Sequence, residues 1–447
     1  MIRRVFVANR GEIAVRIIRA AHDLGVEAVA VFSEADAHAK HVRLADVAIG
    51  LAGSPREVHL DGTRLAEAAV ATGCDAVHPG YGFLSEDAAF ATRCADADLV
   101  FIGPAPDSMR VAGDKASARR VMAEIGVPVV PGTLDAVASA AEAAREATRI
   151  GYPVLLKARA GGGGRGMSLV RSERDIAGAF EVASAEARSA FSDGGLYVER
   201  YLPDIRHVEV QVLGDDFGGL VHVGERECTI QRRHQKVLEE CPAPSISNET
   251  RAALHAAALA AAKAVEYKSA GTVEFIIDNE TEEFFFIEMN TRIQVEHPVT
   301  EVVTGIDLVA EQFAIADQRP LSFDQDSVRF TGHAIECRIT AEDPKRGFLP
   351  SPGTITRYMP PGGPGIRVDD FCRPGDEVTT HFDSLIAKVI AHGENRDVAI
   401  ARMRRALREF DVVGVDTNAV MQDEILSSPQ FQTGRFGTGF LSDMGYA

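Results

Sequence analysis

Positive charge is what this chain has least of: 47 Lys plus Arg stand against 65 Asp plus Glu, a net −18 over 447 residues. A chain this acidic repels nucleic acid and anionic membrane surfaces, which excludes both as general partners. An anionic ligand would need a local reversal of sign. Cysteine is sparse and unpatterned. Cys74, Cys94, Cys228, Cys241, Cys337 and Cys372 include no Cys-x-x-Cys and no paired Cys/His spacing. That excludes a zinc ribbon and reads as reduced thiols in a cytoplasmic protein. No signal-type apolar segment precedes the first charged residues, and no apolar run is long enough to span a bilayer. No Gly-x-Gly-x-x-Gly follows the first strand, where Asn9-Arg-Gly-Glu12 stands instead. No Gly-Lys-Ser/Thr triplet ends the glycine run, so NAD-type and Walker-type signatures are both missing. Tryptophan is absent, which says nothing about function.

What is present is ordinary globular usage, 46 % apolar and 25 % charged, enough for roughly three domains at about 150 residues each. Strands at 5–8, 28–32, 76–77 and 99–102 alternate with helices at 13–24, 65–71 and 87–95. This rhythm predicts a parallel sheet covered on both faces, hence an α/β class. After 103–104 come helices at 116–125 and 137–150 and strands at 154–157, 167–170, 195–198, 208–213 and 220–223. A helix at 250–265 leads to strands at 273–277 and 284–287. From 329 the chain is β-rich with Pro and Gly punctuation, and it closes on a helix at 396–409. Domain boundaries are expected near 112 and 320.

Four local patterns carry chemistry. Gly161, Gly162, Gly163 and Gly164 follow Lys157 between two strands. Without Cβ atoms their amides can approach an anion, and the lysine can reach a phosphate. Glu274 and Glu288 are equidistant from a turn centred near 281, which sets two carboxylates opposite each other on antiparallel strands. Like charges so placed repel, and a divalent cation with Asn290 as a further oxygen ligand would relieve them. Glu288, Asn290, Arg292, Gln294 and Glu296 recur at every second position. In an extended segment they would share one face: metal end, cation and amide, then carboxylate. Arg226, Arg232, Arg233, His234 and Lys236 crowd into one stretch, the sign reversal an anionic ligand would need.

The stretches Ala8-Asn-Arg-Gly-Glu12, His78-Pro-Gly-Tyr-Gly-Phe-Leu-Ser-Glu86, Gly113-Asp-Lys115, the glycine run, Gln231-Arg-Arg-His-Gln-Lys236 and Glu288 to Glu301 resemble the biotin carboxylase family. So do His333-Ala-Ile-Glu-Cys-Arg338 and Phe348-Leu-Pro-Ser-Pro-Gly353. The resemblance runs in order along essentially the whole chain. It implies an N-terminal Rossmann-like domain (1–112), an ATP-grasp core (113–320) with a mobile glycine-rich lid at about 131–201, and a C-terminal domain (330–440). By resemblance, Lys115 and Lys157 contact ATP phosphates, and Glu199, Arg200 and Leu202 form the adenine hinge. His207, Gln231 and His234 line the nucleotide pocket, and Lys236 lies near the transferred phosphate. Glu274, Glu288 and Asn290 hold Mg²⁺ or Mn²⁺, with two ions implied. Arg292, Gln294, the Val295 backbone and Glu296 form the bicarbonate site, with Glu296 the base. Tyr81 and Gly82 meet biotin, and Arg338 stabilises its enolate.

The implied reaction converts ATP, bicarbonate and biotin to ADP, phosphate and carboxybiotin through carboxyphosphate. No Ala-Met-Lys-Met motif occurs, so biotin is expected on a separate carrier protein. A carboxyltransferase component and a second copy of the chain are expected partners, and acetyl-CoA carboxylase in fatty acid synthesis the expected context. The chain departs from the family pattern at Arg159, Arg200 and Phe382, and has Pro364 in the region of the family's dimer interface. Two other readings are an ATP-grasp carboxylate–amine ligase, which would share the metal hairpin and lid, and a silent scaffold in a carboxylase complex, which would be expected to lose metal or base residues.

Overall fold

The computed structural model describes residues 1–159, 166–191, 193–233 and 235–446. The expectations placed on Gly161, Gly162, Gly163, Gly164 and His234 lie outside them. Among the described residues, β1 (Arg4–Val7), β2 (Glu27–Phe32), β3 (Val47–Gly50), β4 (Ala76–His78) and β5 (Val100–Phe101) form a parallel sheet in the order β3-β2-β1-β4-β5. Val5, Phe6 and Val7 are fully buried, the continuous apolar run of a strand covered on both faces. The helix Gly11–Asp23 packs Ile13, Ile17 and Ile18 against this sheet. It stops where Gly25 takes φ +72°, the left-handed conformation that favours glycine after a helix.

A small antiparallel sheet, β6 (Val154–Ala158), β7 (Met167–Val170) and β8 (Leu196–Arg200), is ordered β7-β6-β8. The helices Ala140–Ile150 and Ile176–Phe191 cover it, burying Ala143, Ala147, Phe180 and Ala183. The largest sheet begins with β9 (Ile205–Gly214), β10 (Leu220–Arg232), β11 (Gln235–Cys241), β12 (Ser269–Asp278), β13 (Phe284–Asn290) and β14 (His333–Thr340). Its order is β13-β12-β9-β10-β11-β14, continued by the strands Leu385–Gly393 and Ile366–Asp370. The helix Asn248–Ala264 lays Leu254, Ala258 and Ala261 on Val208, Val210, Val273 and Phe275. The Ile366–Asp370 strand also runs beside the helix Gly11–Asp23, so both ends of the chain meet around the largest sheet. No described helix is long and apolar enough to cross a membrane.

The expected α/β class and the parallel N-terminal sheet are observed. Two differences bear on the site. β10 runs on to Arg232 instead of ending at 223, and β11 was not expected. Both strands carry buried charge: Arg226, Glu227, Glu239 and Glu240 are at most 1 % exposed. Strand patterning read as apolar alternation misses strands whose inward residues are paired ions.

Candidate active site

The β12–β13 hairpin sets the centre of the site. Glu274 faces Glu288 and Thr272 faces Asn290 across the ladder. The register slips after Glu274, since Phe275 pairs with Phe286. Ile287 is therefore an extra, bulged residue that re-aims the neighbouring side chains. The carboxylate conflict is met by cations. Lys115 Nζ lies 2.8 Å from Glu288 Oε2. His207 Nε2 lies 2.6 Å from Glu274 Oε2, and Lys236 Nζ 3.0 Å from Glu274 Oε1. Burial alone would raise the Glu274 carboxyl, but Lys236 and His207 hold it far below the usual range. Burial would lower the His207 imidazole, and Glu274 reverses this and raises it. Asn290 Nδ2 donates to Glu274 Oε1 at 2.8 Å. Two facing carboxylates beside an amide form a hard oxygen donor set that fits Mg²⁺ or Mn²⁺ once Lys115 yields Glu288.

The expected extended row ends early. β13 stops at Asn290, and Glu296 sits at φ −81°, ψ 9° as the residue before the helix His297–Thr304. Glu86 braces the turn that follows: its carboxylate accepts from the Thr291 amide at 3.0 Å and from Arg292 Nε at 3.0 Å. The row converges all the same, through hydrogen bonds rather than a shared strand face. Arg292 donates to Gln294 Oε1 at 2.8 Å and to Asn290 Oδ1 at 3.0 Å. Gln294 Nε2 reaches Glu274 Oε1 at 3.3 Å.

Glu296 is fully buried. One oxygen accepts from Lys236 at 2.7 Å and the other from Arg338 at 2.9 Å. Burial would raise this carboxyl, yet Lys236, Arg338 and Arg226 hold it well below the usual carboxylate range. Lys236 is shared, with Glu209 2.5 Å away. Arg338 also donates to Glu239 at 2.6 Å, and burial pushes the Glu239 carboxyl up to about 7.

A cavity of about 1530 Å³ opens over this floor. Lys115, Lys157, Glu199, Arg200, Leu202, His207 and Gln231 line it, as do Lys236, Glu274, Glu288 and Asn290. Arg292, Gln294, Val295, Arg338, Tyr81 and Gly82 complete the expected set on its walls. Glu296 lies just beneath, behind Lys236 and Arg338. Lys157 and Arg119 both pair with the buried Glu199. Gln231 Nε2 lies 2.9 Å from His207 Nδ1. The Tyr81 hydroxyl donates to Glu12, and Gly82 takes φ +67°.

The basic stretch is not one cluster. Arg226 is fully buried against Glu209 at 2.6 Å and Gln211 at 2.8 Å. Arg232 lies over the Phe348 ring, 3.9 Å from its centroid. Of that stretch, Arg233 and Lys236 line the cavity with Gln231 and Gln235. The sign reversal is shared between these two cations and others spread over the chain: Lys115, Arg119, Lys157, Arg292 and Arg338. Arg119, Glu209, Glu239 and Glu86 were not expected. Arg119 stands four residues after Lys115, one turn on along the same helix face, and that spacing could have found it. Of the residues departing from the family pattern, Arg159 pairs with Asp193 at 2.8 Å. Phe382 lies under the Arg10 guanidinium, 3.7 Å from ring centroid to Cζ.

A clustered-cation cavity over a carboxylate hairpin, flanked by a small three-stranded unit, fits the ATP-grasp ligase class that the resemblance implies, and the comparisons with known proteins bear that class out. Three family models match in order: "Biotin carboxylase, N-terminal domain" over residues 1–109, "Carbamoyl-phosphate synthase L chain, ATP binding domain" over 114–323, and "Biotin carboxylase C-terminal domain" over 336–443. The chain is 50 % identical to biotin carboxylase 1 of Bacillus subtilis over 443 residues, 99 % of this chain and 98 % of that protein. The biotin carboxylase domain dimer of Hydrogenobacter thermophilus 2-oxoglutarate carboxylase, solved with MgADP, ADP and bicarbonate, is 46 % identical. It superimposes with a TM-score of 0.93, covering 100 % of this chain and 98 % of that one. A biotin carboxylase subunit of pyruvate carboxylase is 47 % identical with a TM-score of 0.89, covering 100 % and 98 %. The chain belongs to the biotin carboxylase family, and its reaction is ATP-dependent carboxylation of biotin.

Proposed function

We propose that Glu296 is the general base of this reaction, and that its two ion pairs govern when it acts. With Lys236 and Arg338 both bound, the carboxylate is stabilised as an anion and is a poor base. Bicarbonate and the γ-phosphate are anions that compete for those cations. As they draw Lys236 and Arg338 away, Glu296 loses its partners, its basicity rises, and it takes the bicarbonate proton. The resulting oxyanion attacks the γ-phosphorus, ADP leaves, and carboxyphosphate forms. Lys115, Lys157 and Lys236 neutralise charge on the phosphates, and Arg292 and Gln294 hold bicarbonate. Glu274, Glu288 and Asn290 would hold Mg²⁺ or Mn²⁺, which supplies charge neutralisation on the nucleotide when bound. Glu199, Arg200 and Leu202 frame the adenine, beside His207 and Gln231.

Carboxyphosphate breaks down to CO₂ and phosphate, and that phosphate removes the ureido proton of biotin held near Tyr81 and Gly82. Arg338, freed from Glu296, stabilises the enolate as an oxyanion hole does. The enolate nitrogen then captures CO₂. The observation that carries this reading is the bracketing of a fully buried Glu296 by Lys236 and Arg338 at 2.7 and 2.9 Å.

The proposed setting is cytoplasmic, which the six buried free cysteines support. The proposed partners are a separate biotin carrier protein, a carboxyltransferase component and a second copy of the chain. The dimer named for the Hydrogenobacter domain supports the last. Acetyl-CoA is the proposed final acceptor, and mixing the enzyme with carrier and transferase components tests it. The site reading is tested by bicarbonate-dependent ATP cleavage, which should rise when free biotin is added. Arg338→Ala should abolish that rise while nucleotide binding persists; equal losses of both would overturn the role given to Arg338.

A further inference from the structure

Lys388 lies outside the residue set assigned above, yet it touches both halves of the site. It is fully buried on the strand Leu385–Gly393, directly opposite Arg338 in the ladder. Its ammonium donates to the Val295 carbonyl at 2.8 Å and lies 3.1 Å from Glu12 Oε1. Glu12, itself buried, accepts from the Tyr81 hydroxyl. One ammonium thus joins the turn that delivers Glu296 to the loop that carries Tyr81. Three chain segments meet at it: the Gly11–Asp23 helix, the Val295 turn and a strand of the largest sheet.

The geometry has a direct consequence. A peptide group is planar, so fixing the Val295 carbonyl fixes the Val295–Glu296 peptide and the direction in which Glu296 leaves the chain. The preceding carbonyl is held as well, by His297 Nδ1 at 2.7 Å from Gln294 O. Burial would strip the Lys388 ammonium of its proton, but Glu12, Glu336 and Asp369 reverse this and raise its pKa. A buried ion pair adds little to stability over well-packed apolar residues of the same volume.

We infer that Lys388 is a positioning residue: its ammonium sets the spacing between the bicarbonate-side turn at Val295–Glu296 and the biotin-side pair Glu12–Tyr81. This rests on the roles proposed above for Glu296 and Tyr81. Lys388 touches no reacting atom; it acts through the Val295 carbonyl and Glu12. Carboxyphosphate and its CO₂ have to be captured by biotin before water intervenes, so a fixed spacing matters to coupling and not to nucleotide binding.

The test uses Lys388→Met and the double variant Glu12→Gln/Lys388→Met, which removes the paired charges together while Asp369 keeps Arg367 and Glu336 keeps the influence of Arg338. ATP affinity, KM for bicarbonate, and kcat for ATP cleavage with and without free biotin are measured beside wild type. The double variant should bind ATP within about twofold of wild type. Its stimulation by biotin should vanish, and kcat for carboxybiotin should fall tenfold or more. Lys388→Arg, which keeps a donor for the Val295 carbonyl, should recover part of that kcat. Unchanged coupling in the double variant overturns the inference. So does a parallel loss of ATP affinity and kcat, or failure of the double variant to fold, since the network would then be structural. If wild type itself shows no bicarbonate-dependent, biotin-stimulated cleavage, the reading of the site fails instead.

Discussion

Replacing Glu296 by glutamine separates the chemistry of this site from its architecture. The side chain keeps its volume and loses its charge between Lys236 and Arg338. Breaking a buried pair costs about 3–5 kcal/mol when a charge is left alone. Neither cation is left alone here: Lys236 keeps Glu209 and Glu274 at 2.5 and 3.0 Å, and Arg338 keeps Glu239 at 2.6 Å. The glutamine carbonyl can still accept from one of them. The expected loss is one charge-assisted hydrogen bond, about 1.5–3 kcal/mol, and E296Q should fold. Its ATP affinity should hold or rise, because the cations facing the phosphates have lost a competing anion. Losing the base should lower bicarbonate-dependent ATP cleavage by about 10²–10⁴-fold, or about 3–5 kcal/mol of barrier. Phosphate release is measured against bicarbonate concentration, with nucleotide binding by titration calorimetry and stability by thermal melting. A fall of less than tenfold, or one that merely tracks weaker ATP binding, would refute the reasoning.

Arg119→Met should strand the buried Glu199 against Lys157 alone and weaken ATP binding by about tenfold, the scale of one charge-assisted contact; titration of ATP checks it. Burial pushes the Cys228 thiol well above its usual range, so alkylation of native protein followed by peptide mass analysis should leave Cys228 unmodified until the fold opens. Burial lowers His41 from its ordinary value to about 4. The folded state then binds fewer protons than the unfolded chain, so stability is full above about pH 6.5 and is lost as pH falls toward 4. The loss from this one residue approaches about 3 kcal/mol at pH 4. His41→Gln should flatten the melting-temperature profile across that window, and an unchanged slope would contradict the assignment.

Apolar pattern made the parallel N-terminal sheet and the helix Arg396–Glu409 legible, the first from the continuous apolar run Val5 to Val7 and the second from its helical period; that helix does not close the chain, because the helices Ala419–Ser427, Pro429–Gln432 and Phe440–Asp443 follow it. Counting outward from the turn near 281 placed Glu274 opposite Glu288, as the ladder has it. The alternation from Glu288 to Glu296 was misleading as geometry. It implied a strand, whereas the chain turns after Asn290, where a carboxylate distant in sequence, Glu86, accepts from Thr291 and Arg292. Glu209 and Glu239 were illegible for a related reason. A buried ion pair is made by two residues far apart in sequence, and neither alone differs from a surface charge. The basic stretch shows the converse. Its charges adjoin in sequence, but register slips in β10 between Glu227 and Gln231 break the strand's alternation, leaving Arg226 in the interior and Arg232 over Phe348.

The largest sheet crosses the sequence between the two family segments at 114–323 and 336–443. β11 and β14 are hydrogen-bonded neighbours, although nearly a hundred residues of chain lie between them. A polypeptide divided in that interval would leave two unpaired strand edges, each a template for pairing with another chain. It would also part Glu239 from Arg338 and Lys236 from Glu296's second cation. Neither half is therefore a portable module. Mixing separately made halves should yield aggregation or reassembly along that seam rather than two independent folds, and swapping C-terminal segments between relatives will succeed only where the β11 edge is matched strand for strand.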